Sequence, residues 1–181
     1  MKKNIIFVTG FFGSPIMQRA RQLAGENGCP LISLDDEIER ADGRSVRRIC
    51  MTMGEHEYRN KEYESLKSIA EGKTPPAGAQ AAKDQSPASG AQAAESTAPA
   101  ADLVVACGDG VLLDDMSREL ILGYTLVITG SDMTCEALWE NARADVESCH
   151  AFMHFGTEEK RRESFEKLFE RQRALFMPYI K

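Results

Sequence analysis

The sequence predicts an α/β fold with a mainly parallel sheet of about four strands. Two segments, residues 103–107 and 124–129, are continuous apolar runs of the kind that parallel sheets bury on both faces. Segments with helical spacing alternate with the strand-like segments, which indicates strand–helix–strand units. At 181 residues, of which 43% are hydrophobic, the chain is long enough for one domain with a sizeable core.

The N-terminal residues 3–18 have the layout of a phosphate-binding loop. An apolar strand is predicted over 4–9, followed by a glycine-bearing turn and a helix that begins near Pro15 and runs to about Gly25. Ser14 directly before that proline predicts a hydroxyl N-cap with proline at the first helical position.

The residues of this loop depart from the phosphate-binding pattern GxxxxGK[ST]. Gly10 supplies the first glycine and Gly13 falls inside the loop. Pro15 stands in place of the last glycine, Ile16 in place of the lysine, and Met17 in place of the hydroxyl that binds magnesium. The segment therefore has the layout of a phosphate-binding loop but lacks the lysine and the hydroxyl that bind phosphate and magnesium.

The remaining elements follow from capping and spacing. A short strand over 30–33 leads into an acidic cluster that suits a helix N-terminus, and Gly43 ends that helix. Four further helices follow along the chain. They are predicted over 45–53, from 54 onward, over 114–122 and over 158–177, with another helix around Trp139.

Residues 73–101 change abruptly in composition to Ala, Pro, Gln, Ser and Gly, and the string GAQAA occurs twice. This segment has so little large apolar surface that burying it would not offset the conformational entropy lost on ordering. We therefore expect a single domain over residues 1–181, interrupted by a disordered surface insertion at about 73–101.

Charge and cysteine content exclude several classes of function. The net charge is −6 and the only basic block is 160–162, so we expect no nucleic-acid partner. The apolar N-terminal stretch is short, so we expect no signal peptide or membrane span and a cytoplasmic protein. Five cysteines without a CxxC pair predict reduced, mostly buried thiols and no zinc site.

Asp35 and Arg59 are the best candidates for ligand binding, because ligands of parallel sheets bind beyond the carboxyl ends of the strands. The Asp35 carboxylate would accept hydroxyl hydrogens of a small polyol acid, and the guanidinium would bind its carboxylate. Alternatively, Asp35 is a helix N-cap and Arg59 a surface partner of Glu55 or Glu62. On these residues alone, the second interpretation is favoured.

The segment 108–110, Gly-Asp-Gly, follows the third predicted strand and is either part of the site or only a tight turn. Asp109 is a candidate base, although a carboxylate in a turn is usually solvated. His56, His150 and His154 show no metal-ligand spacing with the cysteines, so we expect them at solvated positions. The sequence assigns no catalytic residue.

Taken in order, these segments resemble the shikimate kinase family, P-loop kinases that use ATP to phosphorylate the 3-hydroxyl of shikimate. The resemblance covers nearly the whole chain outside the insertion and implies a three-layer P-loop NTPase-like fold. It is carried by the aspartate-containing stretch at 33–39, a GxSIxxI-like motif at 43–49, GE at 54–55 and an FRxxE-like motif at 58–62.

The resemblance also implies a substrate site. It places Asp35 at the shikimate-binding aspartate, and it matches 108–110 to the GGG motif after the third strand. It further implies a second carboxylate-binding arginine in the last helix. The substrate-binding residues that it implies are Asp35, Arg59, Glu62, Gly108, Gly110 and either Arg171 or Arg173.

The departures from the family fall mostly in the nucleotide half of the site. Ile16 replaces the phosphate-binding lysine, Met17 the magnesium hydroxyl, and Ser33 an aspartate that helps hold magnesium. His150 stands in place of the lid arginine, and Asp109 adds a negative charge near the expected γ-phosphate. The family's fifth strand and final helix, which help hold adenine, are also expected to be missing.

Three functions follow as alternatives. The chain is a pseudoenzyme that binds shikimate or a similar polyol acid, a working kinase with an unconventional phosphate site, or a decayed structural paralogue. ATP and magnesium are implied by the resemblance only. The residues of the degenerate nucleotide site are Gly10, Gly13, Ser14, Ile16 and Met17.

Overall fold

Four parallel strands form the sheet in a computed structural model of the chain, which describes residues 4–73, 101–145 and 148–180. The strand order is β2-β3-β1-β4, so the first strand lies between the third and the fourth. The fold class predicted from the sequence is confirmed. The strands are β1 (Ile5–Gly10), β2 (Leu31–Ser33), β3 (Leu103–Ala106) and β4 (Thr125–Thr129).

The register of the sheet brings the carboxyl ends of the strands together. Phe7 pairs with Val105 in β3 and with Leu126 in β4, while Ser33 at the end of β2 pairs with Ala106. All four residues of β3 are buried, as expected for a strand covered on both faces. The loops that follow β1, β2 and β3 therefore meet at one edge.

Seven α-helices and three short 3-10 turns complete the described part of the chain. The 3-10 turns at Val111–Leu113, Ala151–His154 and Met177–Tyr179 were not predicted. The predicted helices are confirmed to within a few residues at their ends. They are α1 (Ile16–Asn27), α2 (Leu34–Asp42), α3 (Val46–Met53), α4 (Glu55–Ala70), α5 (Asp115–Ile121), α6 (Cys135–Ala142) and α7 (Glu158–Phe176).

The start of α1 differs from the prediction that Ser14 is its hydroxyl N-cap. Pro15 precedes the first helical residue, and no side chain caps the helix. The Ser14 hydroxyl instead lies 2.7 Å from Oγ1 of Thr129, at the end of the neighbouring strand β4. The prediction is wrong because a tertiary partner takes the hydroxyl.

Helices pack on both faces of the sheet and give the three layers. On one face, Ala20, Leu23 and Ala24 of α1 are buried against Val8 and Val104. The larger core lies on the other face, between the sheet and the remaining helices. Phe165 and Phe176 of α7 are buried in it.

Three further predictions concern the chain as a whole. The five cysteines are free thiols. None of the described helices is long and apolar enough to cross a membrane. The insertion predicted at about 73–101 lies almost entirely outside the described residues.

Candidate functional site

A cavity of about 630 Å³ opens at the carboxyl edge of the sheet. The loop after β1, the start of α2, the N-terminal part of α4 and the turn after β3 form its wall, together with residues near the end of α6. Its polar lining residues include Ser14, Ser33, Asp35, Glu39, Arg59, Asp109, Asn141, Asp145 and Ser148.

A buried tyrosine joins two carboxyl groups at this cavity. The hydroxyl of Tyr58 lies 2.5 Å from Oδ1 of Asp35 and 3.2 Å from Oε1 of Glu62. Burial raises the pKa of Asp35 and raises the pKa of Glu62 to about 7. A phenol has only one hydrogen to donate. Both contacts are therefore hydrogen bonds only when one of the two carboxyl groups is itself protonated and donates to the Tyr58 oxygen.

Arg59 is the cationic side chain of this group, and it is only 9% exposed. Its Nη1 pairs with Oε2 of the fully buried Glu62, and its Nη2 lies 3.0 Å from Oε1 of Glu55. The helical geometry of α4 explains this arrangement, because residues three and four positions apart lie on the same helix face. The guanidinium is therefore fixed by two carboxylates of its own helix.

Gly108 and Gly110 make room for this pair. A Cβ at Gly110 would lie 2.1 Å from Nη2 of Arg59, and a Cβ at Gly108 would lie 3.0 Å from Oε1 of Glu62. Neither position requires a left-handed backbone. These glycines therefore allow close approach of the Arg59–Glu62 pair, whereas a tight turn alone would not need both of them.

Asp109 and His150 form a second polar pair beside the first. His150 Nε2 lies 2.8 Å from Oδ2 of Asp109, and the side chain of His150 is 3% exposed. Burial opposes ionisation of both groups, but their mutual attraction and hydrogen bond hold the pKa of Asp109 below its ordinary value and the pKa of His150 above its own. The prediction that His150 and Asp109 are solvated is wrong, because the two side chains are hydrogen-bonded to each other in the interior.

Gln172 of α7 connects this pair to the loop after β1. Its Nε2 donates to Oδ2 and to the backbone carbonyl of Asp109, at 3.1 and 3.0 Å. Its Oε1 accepts from the backbone N–H of Phe12, at 3.1 Å. One buried carboxamide therefore holds the loop after β1, the turn after β3 and the last helix together.

The backbone N–H groups of the loop after β1 donate mostly within the protein. Phe11 donates to the carbonyl of Thr129, Ser14 to that of Phe11, and Ile16 to that of Ser14. Phe12 donates to Gln172, and Pro15 has no N–H group. Ile16 and Met17 line the cavity with apolar side chains.

Gly10 and Gly13 shape this loop. A Cβ at Gly10 would meet the hydroxyls of Thr129 and Ser14 at 2.1 and 2.5 Å. Gly13 has a φ of +87°, and a Cβ there would lie 2.1 Å from the carbonyl oxygen of Leu138. Both glycines serve the fold of the loop in addition to any ligand.

The structure brings together most of the residues predicted for the substrate site. Asp35, Arg59 and Gly108 line the cavity, and Glu62 and Gly110 contact Arg59. Arg171 and Arg173 are exposed on α7 and do not line the cavity, whereas Gln172 between them is 1% exposed.

The alternative interpretation of Asp35 and Arg59 does not hold in the structure. Ser33 is the N-cap of α2, since its hydroxyl accepts from the N–H of Asp36 at 3.3 Å. Arg59 pairs with Glu55 and Glu62 as that interpretation states, but it does so in the interior.

Sequence reasoning missed Tyr58, Gln172 and Cys149 as members of the site. Tyr58 lies four residues before Glu62, a spacing that places both on one helix face and was the available signal. Gln172 and Cys149 had none, because their partners lie far away in the sequence.

Comparisons with known proteins give one consistent family. The family model described as shikimate kinase matches residues 18–75. A bifunctional shikimate kinase/3-dehydroquinate synthase of Thermotoga maritima is 33% identical over 116 residues, which are 64% of this chain and 18% of the relative. The shikimate kinase of Chlorobaculum parvum is 32% identical over 118 residues, which are 65% of this chain and 48% of the relative. The chain thus spans less than half the length of these two curated relatives.

Solved structures share the fold at lower identity. A shikimate kinase from Acinetobacter baumannii in complex with shikimate superposes with a TM-score of 0.64 at 17% identity. The match covers 97% of this chain and 77% of that protein.

Proposed function

We propose that this chain, whose family-model match and curated relatives are shikimate kinases, binds shikimate or a similar polyol acid without using ATP and magnesium as those enzymes do. That likeness alone makes ATP-dependent phosphorylation of shikimate the expected activity. The substrate half and the nucleotide half of the site differ in how well their residues suit that reaction.

The substrate half supports binding of a polyol acid. Asp35 and Glu62 offer carboxyl oxygens to ligand hydroxyls, and Arg59 offers a buried cation for a carboxylate. All three lie at the edge of one cavity or contact its lining residues. The resemblance assigns the same three positions to the family's substrate, and a solved relative of this fold holds shikimate.

The nucleotide half does not suit ATP and magnesium, and the loop after β1 is the observation that carries this proposal. A phosphate-binding loop presents several backbone N–H groups to the phosphates and adds a lysine and a magnesium-binding hydroxyl. Here four backbone N–H groups are hydrogen-bonded within the protein, Pro15 has no N–H group, and the side chains of Ile16 and Met17 offer no donor. The hydroxyl of Ser33 caps α2.

The expected loss of activity is large. Each missing charge-assisted contact contributes about 1.5 to 3 kcal/mol, so the lysine, the metal contact and the lid arginine together account for about 4.5 to 9 kcal/mol. At about 1.4 kcal/mol per factor of ten, this corresponds to roughly three to six decades in rate. We therefore propose a pseudoenzyme that retains the substrate half of the site.

Isothermal titration of the full chain with shikimate, and separately with ATP and magnesium, tests the proposal. We expect shikimate to bind with a one-to-one stoichiometry and ATP with magnesium to give no heat of binding. Asp35→Asn should weaken the binding of shikimate at least tenfold, since it removes the protein carboxylate that accepts the hydroxyl hydrogens of the ligand. The exposed neighbour Asp36 provides the matched control, and Asp36→Asn should leave the affinity unchanged.

Two outcomes contradict the proposal. Measurable ATP affinity, or transfer of phosphate to shikimate, would identify a working kinase with an unconventional phosphate site. Binding of neither ligand would leave the decayed structural paralogue as the better description.

A further inference from the structure

A sulfur, a nitrogen and an oxygen ligand converge at the rim of the cavity. Glu55 is the first residue of α4, and Cys149 and His150 lie next to each other before the Ala151–His154 turn. One ligand atom of each side chain lies within 4.8 Å of the other two. Thiolate, imidazole and carboxylate are the ligands that zinc takes in proteins.

The hydrogen bonds of His150 leave Nδ1 for a metal. Gln172 donates to Oδ2 of Asp109, so this oxygen is an acceptor, and the contact at 2.8 Å then requires the hydrogen on Nε2 of His150. Nδ1 lies on the side of Glu55, 3.7 Å from its Oε1. A carboxylate on the far nitrogen of a metal-binding histidine fixes both its tautomer and its orientation.

The charge around these ligands favours a divalent cation. Four carboxyl groups, those of Asp35, Glu55, Glu62 and Asp109, surround one guanidinium and one imidazole. The excess of acidic groups agrees with the raised pKa of Glu62, to which Asp35 and Asp109 contribute after burial. A dication would offset this excess.

Arg59 is the competing cation and does not block the site. Its Nη2 lies 3.0 Å from Oε1 of Glu55 and 3.8 Å from the sulfur of Cys149. The side chain of Glu55 is 44% exposed, and its turn from Arg59 toward a metal would leave Arg59 with its buried partner Glu62.

We propose that Glu55, Cys149 and His150 bind one zinc-type divalent cation, with a fourth coordination position open to the cavity. Tetrahedral zinc with bonds of about 2.0 to 2.3 Å holds its ligands about 3.5 Å apart, so the three side chains close by about 1 Å. On binding, the Cys149 thiol releases its proton to solvent and the thiolate sulfur bonds to the metal. The site does not depend on shikimate binding.

The sequence predicted no zinc site, because zinc sites are recognised in a sequence by closely spaced ligand pairs. Here two ligands are adjacent and the third comes from a distant helix. The neighbouring thiol of Cys50, which is hydrogen-bonded to Cys149, makes a disulfide the competing fate of that sulfur. The test therefore uses a reductant that does not bind metals.

Titration of the metal-free full chain with Co²⁺ in a phosphine reductant, followed by Zn²⁺, tests the site. We expect one equivalent of Co²⁺ to produce thiolate-to-metal charge-transfer absorption, and Zn²⁺ to displace it. Cys149→Ser should abolish that absorption. Asp109→Asn should weaken metal affinity about 10- to 100-fold, as expected when the orienting carboxylate is lost.

Two substitutions away from the cluster serve as matched controls. Cys135 is a partly buried thiol on α6 and His56 an exposed imidazole on α4, and Cys135→Ser and His56→Gln should leave metal binding unchanged. Absence of the charge-transfer absorption, or its persistence in Cys149→Ser, would overturn the proposal. If Cys149→Ser or Asp109→Asn fails to fold, Glu55→Gln at the exposed ligand decides, since unchanged affinity in that variant also contradicts the site.

Discussion

The ion pair between Arg59 and Glu62 shows how one side chain can serve both stability and binding. Glu62 is fully buried, and Arg59 is nearly so. Bringing two charges into the interior is unfavourable unless each satisfies the other. Removing one member of the pair is therefore strongly destabilising, because the remaining charge is left buried without a partner. The same guanidinium is the proposed partner of the ligand's carboxylate.

Replacing Arg59 alone should therefore destabilise the protein strongly. We expect Arg59→Met to lower the free energy of unfolding by about 3 to 5 kcal/mol, because it leaves Glu62 buried without a cation. Urea denaturation at neutral pH measures the change. The double variant Arg59→Met with Glu62→Leu should recover most of the loss.

Arg143 offers the matched control for this prediction. It is an exposed arginine that pairs with Glu140 and Glu158, so Arg143→Met should change stability by less than about 1 kcal/mol. A similar loss in both single variants would show that burial of the Arg59–Glu62 pair does not set its contribution.

The Asp109–His150 pair should make stability depend on pH in a defined window. The pKa of His150 is raised from 6.5, so its contribution is complete below 6.5 and is lost as the pH rises through the raised value. The pKa of Asp109 is lowered from 3.8, so its contribution is present above 3.8 and is lost as the pH falls through the lowered value. The pair therefore stabilises the fold most between 3.8 and 6.5.

Comparison with His150→Asn isolates this effect from Glu62, which titrates in an overlapping range. Asp109, Glu55 and Arg59 all act on the His150 ring, so the variant removes their combined influence. We expect the difference in unfolding free energy to be largest inside the window and to shrink above it. A constant difference across pH would contradict the prediction.

At the scale of secondary structure, the glycines of the turn after β3 set how closely α4 approaches the sheet. The backbone of Gly110 is ordinary, with a φ of −96°, so alanine is disfavoured there only by contact with Arg59. Gly25 lies inside α1, with no atom within 4 Å of an added Cβ. The two positions therefore separate a contact effect from a backbone effect.

Gly110→Ala should displace the Arg59 guanidinium and weaken shikimate binding at least tenfold. Gly25→Ala should leave binding unchanged and stabilise the protein by about 0.5 to 1 kcal/mol, because alanine is the better helix former. Titration calorimetry and thermal unfolding measure the two effects. Equal shikimate affinity in both variants would argue against a role of this turn in the site.

The elements themselves were predictable from local signals. Continuous apolar runs predicted β3 and β4, and the acidic cluster after β2 predicted the start of α2. Ser14 misled the same reasoning, because its hydroxyl contacts Thr129, which is distant in the sequence. Local rules therefore predict an element and fail where a tertiary contact takes over a side chain.

At the scale of the whole molecule, the order of the motifs predicted the fold, whereas the polar network of the site could not be predicted. Parallel strands must bring Asp35 and the turn after β3 to one edge. Nothing in the local sequence indicates that His150 meets Asp109 or that Gln172 meets Phe12, since these contacts depend on how the last helix packs. Sequence patterns therefore identified candidate residues within each segment but did not predict the hydrogen bonds between segments.

Restoring nucleotide binding tests the site as an assembly. Ile16→Lys with Met17→Ser should recover some ATP–magnesium affinity, and adding Pro15→Gly should increase it, because the loop regains an N–H donor. Each charge-assisted contact contributes about 1.5 to 3 kcal/mol, or roughly 10- to 100-fold in affinity. Calorimetry measures the series, and we expect no phosphate transfer while Ser33, Asp109 and His150 remain. No gain in any variant would mean that the loop cannot accept phosphate in this fold.

The Gln172 carboxamide has a consequence for the history of the chain. It holds the N–H of Phe12 and the Asp109 side chain at once, so the loop after β1 is adapted to the residue that stands near the expected phosphate. A lysine gained at position 16 alone would enter a loop in which four backbone N–H groups already have partners within the protein, so selection would have less improvement to retain than from the combined substitutions. If the chain has lost ATP use as proposed, a return to kinase activity would need several concerted substitutions, and Gln172 would then act as an evolutionary ratchet.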